Sequence, residues 1–334
     1  MSKLIINAVG PATSVQDAGR HGTQRYGLPP SGAMDPLALA AGNALLGNAA
    51  FAAAIEIGPL GASFTARGAL RVALSGAQRP ADISGRPLPH NSSVTLADGD
   101  VLTLGVARGG VFSYLALEGG IKGELMFGSL AVNARAGLGS PYPRPLQPGD
   151  EIAASFAREL PDQSIDLPVQ SEQPIRVVLG PQHDEFGDAV QAFLDAEWRV
   201  SAASDRMGYR LEGESIPHLH GHNVVSDGTV NGSIQIPGNG LPIVLMPDRG
   251  TTGGYPKIAT VITADLSRLA QTQAGRGFRF KAVTMAEAQA EYRAMAKLLR
   301  GLPGLVRAAR SSWLDLEALH RANVAGIAVS AFDG

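Results

Sequence analysis

The chain has 334 residues, of which 45% are hydrophobic and 17% are charged, so it can bury a sizeable core and lacks the composition of a disordered protein. Its formal net charge of −2 excludes the strong electrostatic attraction on which binding to nucleic acids or anionic membranes depends. The absence of cysteine excludes disulfides, thiolate catalysis and cysteine-bound metals, and with no signal peptide or apolar span in view we expect a cytoplasmic protein.

The first half is predicted to be rich in β-strands, because short runs of Val, Ile and Leu alternate with Gly and Pro turns. One helix is expected after Asp35, which can cap its first turn and is followed by Pro36, and the helix should stop at Gly47. The predicted strands cover residues 4–6, 54–57, 70–74, 93–96, 101–104 and 111–117. This pattern is typical of a barrel or sandwich.

The segment 156–174 is the predicted linker between two domains, because it mixes Pro, Gln, Ser and acidic residues without apolar periodicity. The second half begins with a predicted strand over 175–179 and a helix over 184–194, an order similar to that of the first half. The predicted domains are an N-terminal β-rich domain over 1–160, a second β-rich domain over 172–283 and a helical extension over 284–334.

The extension is predicted to be helical because Thr284 and Glu287 form a capping box for a helix that runs to about residue 299. A second helix is expected near Ser312. The apolar, small residues 323–334 are expected to pack against a barrel or a partner.

A glycine-rich segment between the first strand and the helix is the first candidate binding site. Its glycines would let backbone N–H groups approach a ligand, while Asp17 and Arg20 could orient a polar substrate. The alternative is a structural connection held by an Asp17–Arg20 ion pair, with Asp35 acting only as a helix cap.

Two further candidates lie in the second half. Arg206 and Arg210 stand four residues apart and could bind a carboxylate or phosphate bidentately, or form an ion-paired strand rim. The denser candidate combines Gln235 with a strand that ends in Asp248 and the loop that follows it. This arrangement places charges, hydroxyls and backbone N–H groups at a strand's mouth, where barrels hold ligands, although a tight turn would explain it too.

Several catalytic signatures are absent. The sequence has no Gly-x-x-x-x-Gly-Lys-Ser/Thr phosphate loop and no Gly-x-Ser-x-Gly nucleophile elbow, so the chain alone is not expected to be an NTPase or a serine hydrolase. His218, His220 and His222 alternate as metal ligands on a strand would, but Pro217 and Gly221 favour a loop. No metal site is predicted.

Taken together, these motifs resemble the family of 5-oxoprolinase C subunits, also called KipA-like and often labelled biotin-dependent carboxyltransferase. The resemblance runs from the first strand to about Phe280. It rests on the ordered pieces Thr13-x-x-Gln16-Asp17-x-Gly19-Arg20, Ser31-Gly32-x-Met34-Asp35, Asn43 with Gly47-Asn48, Glu56, Gly180-Pro181, Ser204–Leu211, Gly232–Pro237 and Asp248-Arg249-x-Thr251-Thr252-Gly253-Gly254-Tyr255-Pro256.

The resemblance implies cyclophilin-like β-barrels and one component of a multi-subunit, ATP-dependent 5-oxoprolinase. Its partners would be a separate A subunit together with a KipI-like B subunit, and its substrate would be a small amide. The sequence has no Met-Lys-Met biotin-attachment site, so biotin would need another chain. The alternatives are the carboxyltransferase component of a biotin-dependent urea or amide carboxylase, and a non-enzymatic, kinase-regulating partner.

The resemblance and the required chemistry together select the candidate residues. Arg206 or Arg249 is expected to hold an anionic substrate group, and Asp248 to act as a base or to orient the substrate. The loop from Thr251 is expected to stabilise a developing oxyanion. The predicted catalytic residues are Asp248, Arg249, Thr251, Thr252 and Tyr255, and the predicted substrate-binding residues are Arg206, Gln235, Gly253, Gly254, Asp17 and Arg20.

The sequence departs from the family pattern at three places. Residues 133–141 replace a Ser-Arg-rich, Gly-Gly-containing loop, Gly250 stands where Gln is more usual, and residues 273–276 replace a Pro-Gly-Asp turn. These departures concern substrate identity more than fold.

Overall fold

The structure is a computed structural model that describes residues 2–155, 157–158, 160–168 and 173–309. Within this part of the chain the regular structure is mainly β-strand, which confirms the predicted fold class. No helix there is both long and apolar enough to cross a membrane. The helix predicted near Ser312 and the apolar segment 323–334 lie outside the described residues.

The first half forms two antiparallel sheets. Its elements are β1 (Ser2–Val9), β2 (Ser14–Gln16), a 3-10 helix (Gln24–Tyr26), α1 (Pro36–Ala44), β3 (Ala54–Ile57), β4 (Ala62–Arg67), β5 (Leu70–Gln78), β6 (Ala81–Ile83), β7 (Arg86–Pro87), β8 (Ser92–Leu96), β9 (Val101–Leu104), β10 (Gly109–Leu117), β11 (Glu151–Ala154) and β12 (Gln163–Ile165). One sheet has the order β11-β1-β4-β9-β6-β7, and the other contains β2-β3-β10-β5-β8-β12. All the strands predicted for this half are confirmed.

The two sheets share an apolar core, because alternate side chains along their strands point into the space between them. Leu4 and Phe64 from the first sheet belong to the same buried cluster as Leu74 and Leu115 from the second. Since successive side chains of a strand point to opposite faces, the neighbouring Ala73 lies on the other side of the second sheet.

Helix α1 packs on that other side. Asp35 caps it as predicted, since the Asp35 carboxylate accepts a hydrogen bond from the Ala38 N–H at 3.0 Å. The Ser75 hydroxyl donates to the Ala38 carbonyl at 2.7 Å, and a Cβ on Gly42 would lie only 2.6 Å from that hydroxyl oxygen. The small residue at position 42 therefore lets the helix approach the sheet closely.

The second half is built on an eight-stranded sheet. Its elements are β13 (Ile175–Leu179), a 3-10 helix (His183–Phe186), α2 (Ala189–Asp195), β14 (Trp198–Val200), β15 (Gly208–Glu212), β16 (Asp227–Gly228), β17 (Ser233–Gln235), β18 (Ile243–Leu245), β19 (Thr252–Gly253), β20 (Lys257–Val261), a 3-10 helix (Thr263–Asp265), α3 (Leu266–Ala270), β21 (Gly277–Phe278), β22 (Phe280–Ala282), α4 (Met285–Gly301), a 3-10 helix (Leu302–Leu305) and β23 (Val306–Ala308). The sheet order is β21-β14-β15-β18-β17-β20-β13-β22, and β16 pairs separately with β19.

The structure differs in detail from three sequence predictions. The helix predicted over 184–194 is split into a 3-10 helix and α2, because Gly187 adopts φ 51° and ψ −127°, which glycine alone tolerates readily. The linker predicted over 156–174 contains β12. The extension predicted as helical contains β23 after α4, although the Thr284–Glu287 capping box of α4 is confirmed.

Strands β12 and β23 add to the edge of the second sheet. Ser164 pairs with Ser92 of β8, and β23 pairs with the outer edge of β12. The edge strand of a sheet has unpaired backbone N–H and C=O groups, and another segment of the chain can form hydrogen bonds with them whatever its amino-acid composition. The C-terminal end of the described chain therefore returns to the first half.

A second apolar cluster joins the two halves. It contains Leu39 of α1 and Tyr114 of β10 together with Trp198, Ile234 and Val244 of the second half. Gln271 adds a polar connection, because its carbonyl oxygen accepts from the Val111 N–H at 2.7 Å and its amide donates to Asp35 at 2.8 Å. The two β-rich regions therefore pack through one continuous interface.

The cap at Asp35 predicts a pH-dependent stability difference. Burial raises the pKa of Asp35 above its ordinary value of 3.8, so the folded chain holds this proton more tightly than the unfolded chain. Asp35 therefore contributes its full stabilisation below pH 3.8, and this stabilisation is lost as the pH rises through the pKa of Asp35 in the folded chain. We expect Asp35→Asn, which keeps a capping oxygen, to gain stability relative to the native chain as pH increases over this window.

Urea unfolding of the native chain and of Asp35→Asn between pH 3.5 and 7 measures the difference in their free energies of unfolding. This difference should change with pH by at most about 1.4 kcal/mol per pH unit. Glu287→Gln is the matched control, because hydrogen bonds from Thr284 lower the pKa of that exposed carboxyl and the sign of its effect is opposite. A pH-independent difference between Asp35→Asn and the native chain would contradict the prediction.

Candidate active site

Arg206 lies at the centre of a buried ionic cluster between the two halves. Its Nε donates to Asp248 Oδ2 at 2.8 Å and its Nη2 to Asp248 Oδ1 at 3.2 Å, while Nη1 forms an ion pair with Glu56. Nη2 also donates to the Gly32 carbonyl at 2.7 Å. Two carboxylates thus already bind the guanidinium that was expected to hold a substrate anion.

The environment of Arg206 keeps it charged. Burial alone would lower the pKa of Arg206, but the carboxylates of Asp248 and Glu56 outweigh this effect and raise the pKa above its usual range. The turn that presents Arg206 is fixed by Asp205, whose carboxylate accepts from the Met207 N–H at 2.8 Å. Arg206 thus positions Asp248 and connects it to the first half.

Glu56 is the first-half member of the cluster. Its Oε2 accepts from the Met34 N–H at 2.8 Å and from the Tyr114 hydroxyl at 2.7 Å. Burial first, and then the nearby Glu56 carboxylate, raise the pKa of Tyr114 well above its usual value, so its hydroxyl stays a donor. The predicted site did not include Glu56, although a carboxylate between Ile55 and Ile57 in an apolar strand is itself a signal of a buried ion pair.

Asp248 remains partly accessible to solvent. Its side chain is 16% exposed, whereas that of Glu56 is 1% exposed. The Asp248 N–H donates to the Arg206 carbonyl at 2.9 Å, which fixes the backbone next to the ion pair. Asp248 is therefore a hydrogen-bond acceptor in a fixed position at the edge of the cluster.

Arg20 and Asp17 lie in the glycine-rich segment near Asp248, but they do not form the ion pair considered above. Asp17 instead accepts from the Gly19 N–H at 2.8 Å, the Ser129 hydroxyl at 2.6 Å and the Leu130 N–H at 2.7 Å, which makes it a structural clamp. Arg20 donates through Nη2 to the Ala131 carbonyl.

The rest of the Arg20 guanidinium is buried without a protein partner. Only 1% of Arg20 is exposed, and its Nε and Nη1 have no acceptor among the described residues. Burial lowers the pKa of Arg20, and the carboxylates of Asp17 and Asp248 oppose this shift. Buried N–H donors without acceptors are costly, so this geometry favours binding of an acceptor group beside Asp248.

Arg249 is the second buried arginine with free donors. It is 3% exposed, and its Nη2 donates to Gln24 Oε1 at 3.3 Å and to the Thr229 carbonyl at 3.5 Å. Its Nε and Nη1 have no acceptor in the part of the chain that the structure describes, and burial lowers its pKa. Gln24 is held in turn by donation to the Thr229 carbonyl at 2.8 Å.

The loop after Arg249 forms a two-stranded ribbon. Strand β19, Thr252–Gly253, pairs with β16, and the Thr251 carbonyl accepts from the Thr229 N–H at 3.1 Å. Thr252 and Tyr255 are exposed, while Thr251, Gly253 and Gly254 are half-buried. The ribbon therefore lies at the protein surface beside Arg249, with part of its backbone already bonded.

Gln235 and Lys257 lie under this ribbon. They are opposite each other in the β17–β20 pair, and a Cβ on Gly253 would meet the Gln235 amide at 2.3 Å. Lys257 is 3% exposed and donates to Asp227 at 3.2 Å. Glycine at 253 thus permits close approach of the ribbon, and Lys257 is a buried cation that the predicted site omitted.

Asn133 connects the unusual 133–141 loop to this region. Its amide donates to the Ser31 hydroxyl at 3.0 Å, and the Ser31 N–H donates to the Pro247 carbonyl at 3.1 Å. Pro247 directly precedes Asp248. These two hydrogen bonds connect the 133–141 loop to the backbone of the site.

Comparison with known proteins identifies the family of this chain. Residues 26–282 match the family model described as carboxyltransferase domain, subdomain A and B. The chain is 38% identical to the 5-oxoprolinase C subunit of Escherichia coli, over 85% of this chain and 93% of that protein. The chain belongs to the 5-oxoprolinase C-subunit family. The Haemophilus influenzae member of this family is 35% identical, over 82% of this chain and 89% of its own length.

The fold of the 5-oxoprolinase C-subunit family also occurs inside larger proteins. The crystal structure of the K. lactis urea amidolyase superposes with a TM-score of 0.83 and 26% identity over 90% of this chain. The matched region is 20% of the amidolyase chain. The fold of this chain is therefore a unit that also occurs as one part of a longer enzyme.

Proposed function

We propose that the chain is one subunit of a multi-subunit, ATP-dependent 5-oxoprolinase that opens 5-oxoproline to glutamate. The observation that carries this proposal is the similarity to the 5-oxoprolinase C subunit of Escherichia coli over 93% of that protein. The proposed partners are a separate A subunit together with a KipI-like B subunit. ATP is assigned to the complex as a whole, because this sequence has no phosphate loop.

The site has groups suited to a cyclic amide that carries a carboxylate. The free guanidinium donors of Arg249 can bind the substrate carboxylate in the bidentate geometry that arginine prefers. The free donors of Arg20 can bind the amide oxygen, and the accessible edge of Asp248 can accept the amide N–H. In this proposal, Arg20 as donor and Asp248 as acceptor bind the two polar ends of one amide group.

Opening the ring adds water to the amide carbon, breaks the C–N bond and leaves a proton on the amine nitrogen. Negative charge develops on the amide oxygen during the addition, and a buried cation such as Arg20 stabilises that charge more than it would in water. Asp248, held by Arg206, is the proposed group for moving the proton. Thr251 and Thr252, at the mouth of the site, are proposed to contact the substrate.

Reconstitution tests this proposal. We expect the chain to co-purify with its KipI-like partner, and we expect 5-oxoproline-dependent ADP release only when all three subunits are present. Omitting this chain is the matched control. Full turnover by the chain alone, or full turnover by the other two chains without it, would show that the proposed role is wrong.

A second candidate function follows from the family model and the urea amidolyase superposition. The chain would then transfer a carboxyl group from biotin on another chain to urea or another amide, since the sequence has no Met-Lys-Met attachment site. Incorporation of labelled bicarbonate into the amide would identify this activity. The 38% identity to the Escherichia coli 5-oxoprolinase component, against 26% to the amidolyase, favours the first function.

A further inference from the structure

The Gln24 side chain of the first half contacts Arg249 and Thr229 of the second half. Its Nε2 donates to the Thr229 carbonyl at 2.8 Å, and its Oε1 accepts from Arg249 Nη2 at 3.3 Å. Arg249 Nη2 also lies 3.5 Å from the same carbonyl, and the Thr229 hydroxyl donates to the Gly250 carbonyl at 2.6 Å. The three groups form a closed triangle, in which the Gln24 amide holds one end of the Arg249 guanidinium.

The turn that presents Gln24 is fixed by its own hydrogen bonds. The hydroxyl of the buried Thr23 lies 3.1 Å from the Arg20 carbonyl and 3.2 Å from the Leu28 carbonyl. The Gly27 N–H donates to the Gln24 carbonyl at 2.9 Å, and its φ of 78° is one that glycine adopts without strain. Gln24 therefore reaches the second half from a backbone in a fixed position.

Gln24 holds Arg249 without neutralising its charge. Burial lowers the pKa of Arg249, and no carboxylate in the described part of the chain forms an ion pair with it to oppose this shift. Arg20 differs, since the carboxylates of Asp17 and Asp248 oppose the effect of burial on its pKa. A carboxylate at position 24 would pair with Arg249 and compete with an anionic ligand, whereas the neutral amide leaves the charge for the ligand.

We infer that Gln24 is a positioning residue that makes the Arg249 donors selective for an anion. It orients the guanidinium through Nη2, which leaves the buried Nε and Nη1 donors for an oxyanion of the ligand. The identity of that ligand, a cyclic amide with a carboxylate, rests on the proposed function. The orientation of Arg249 by Gln24 is a property of this chain alone.

Substitution of Gln24 by glutamate tests the charge selection in the reconstituted complex. We expect Gln24→Glu to lower kcat/KM for 5-oxoproline tenfold or more, chiefly by raising KM, because the new carboxylate competes with the substrate carboxylate for Arg249. Gln191→Glu is the matched control, since it makes the same change at an exposed position of α2. Its KM should stay within twofold of the native value.

Nuclear magnetic resonance of the isolated chain tests the orientation without any need for activity. In the native chain the Arg249 guanidinium should rotate slowly and give separate Nη1 and Nη2 signals, which are assigned by their loss in Arg249→Lys. Gln24→Leu removes the amide contacts without adding a charge. We expect it to accelerate rotation about the Nε–Cζ bond of Arg249 tenfold or more.

The two measurements separate this inference from the proposed function. Unchanged rotation of the Arg249 guanidinium in Gln24→Leu, an unchanged KM of an active complex with Gln24→Glu, or an equal rise of KM with Gln191→Glu would overturn the role of Gln24. If the native complex releases no ADP in response to 5-oxoproline, the proposed function is wrong, and the rotation of Arg249 in the isolated chain still decides whether Gln24 positions it.

Discussion

Replacing Arg206 with alanine is expected to destabilise the folded chain by about 3–5 kcal/mol, because it leaves two buried carboxylates without their cation. Glu56 is 1% exposed and Asp248 is 16% exposed at the side chain, so water can restore little of the lost interaction. The measurement is the free energy of unfolding from urea titration at pH 7. A loss of this size is a large part of the total stability of a typical domain.

Two controls make the result specific. Arg67→Ala removes an exposed arginine that contacts Glu151 at 3.7 Å, and it should cost less than about 1 kcal/mol. Adding Glu56→Gln to Arg206→Ala removes one uncompensated charge and should recover part of the stability. A loss below about 1 kcal/mol for Arg206→Ala, or no recovery in the double variant, would show that the cluster does not join the halves.

Arg249→Lys is expected to reduce turnover of the reconstituted complex about a hundredfold, although it keeps the positive charge. A lysine ammonium cannot reproduce the planar fork that Nε and Nη1 of Arg249 present. Asp248→Asn should have an effect of similar size, because it weakens the ion pair with Arg206 and removes the proposed proton acceptor. A hundredfold loss corresponds to about 2.7 kcal/mol of barrier.

The activity measurement is 5-oxoproline-dependent ADP release with all subunits present, after each variant has been shown to fold and to bind the KipI-like partner. Arg210→Lys is the matched control, since Arg210 is exposed on β15 in the same half. Near-normal turnover in both folded variants would place the chemistry on another chain of the complex.

Local sequence patterns predict much of this fold. The alternation of Val, Ile and Leu with Gly and Pro turns locates the strands of the first half, and short-range caps locate α1 and α4. These features depend on residues within a few positions of one another. The strands β12 and β23 are different, because they form by pairing at an existing sheet edge and not by their own composition.

The sequence predicts which residues belong to the site, but it does not predict which of them form ion pairs with one another. Sequence motifs select Arg206, Asp248, Arg249 and Arg20, and the structure places them in or beside one buried cluster. The pairing of Arg206 with Glu56 was not predicted, because the two residues are 150 positions apart in the chain. A local sequence pattern carries no information about contacts over such a separation. The contacts of Gln24 and Lys257 likewise depend on long-range packing.

The Glu56–Arg206 ion pair also fixes the order in which the site can form during synthesis. At about 5–20 residues per second, a ribosome needs roughly 8–30 s to add the 150 residues between the two partners. During that interval the Met34 N–H and the Tyr114 hydroxyl can already bind one Glu56 oxygen, while the other must stay hydrated. Until Arg206 is added, the nascent first half therefore carries a carboxyl oxygen without its protein partner at its future interface, and this polar group opposes premature burial of that surface.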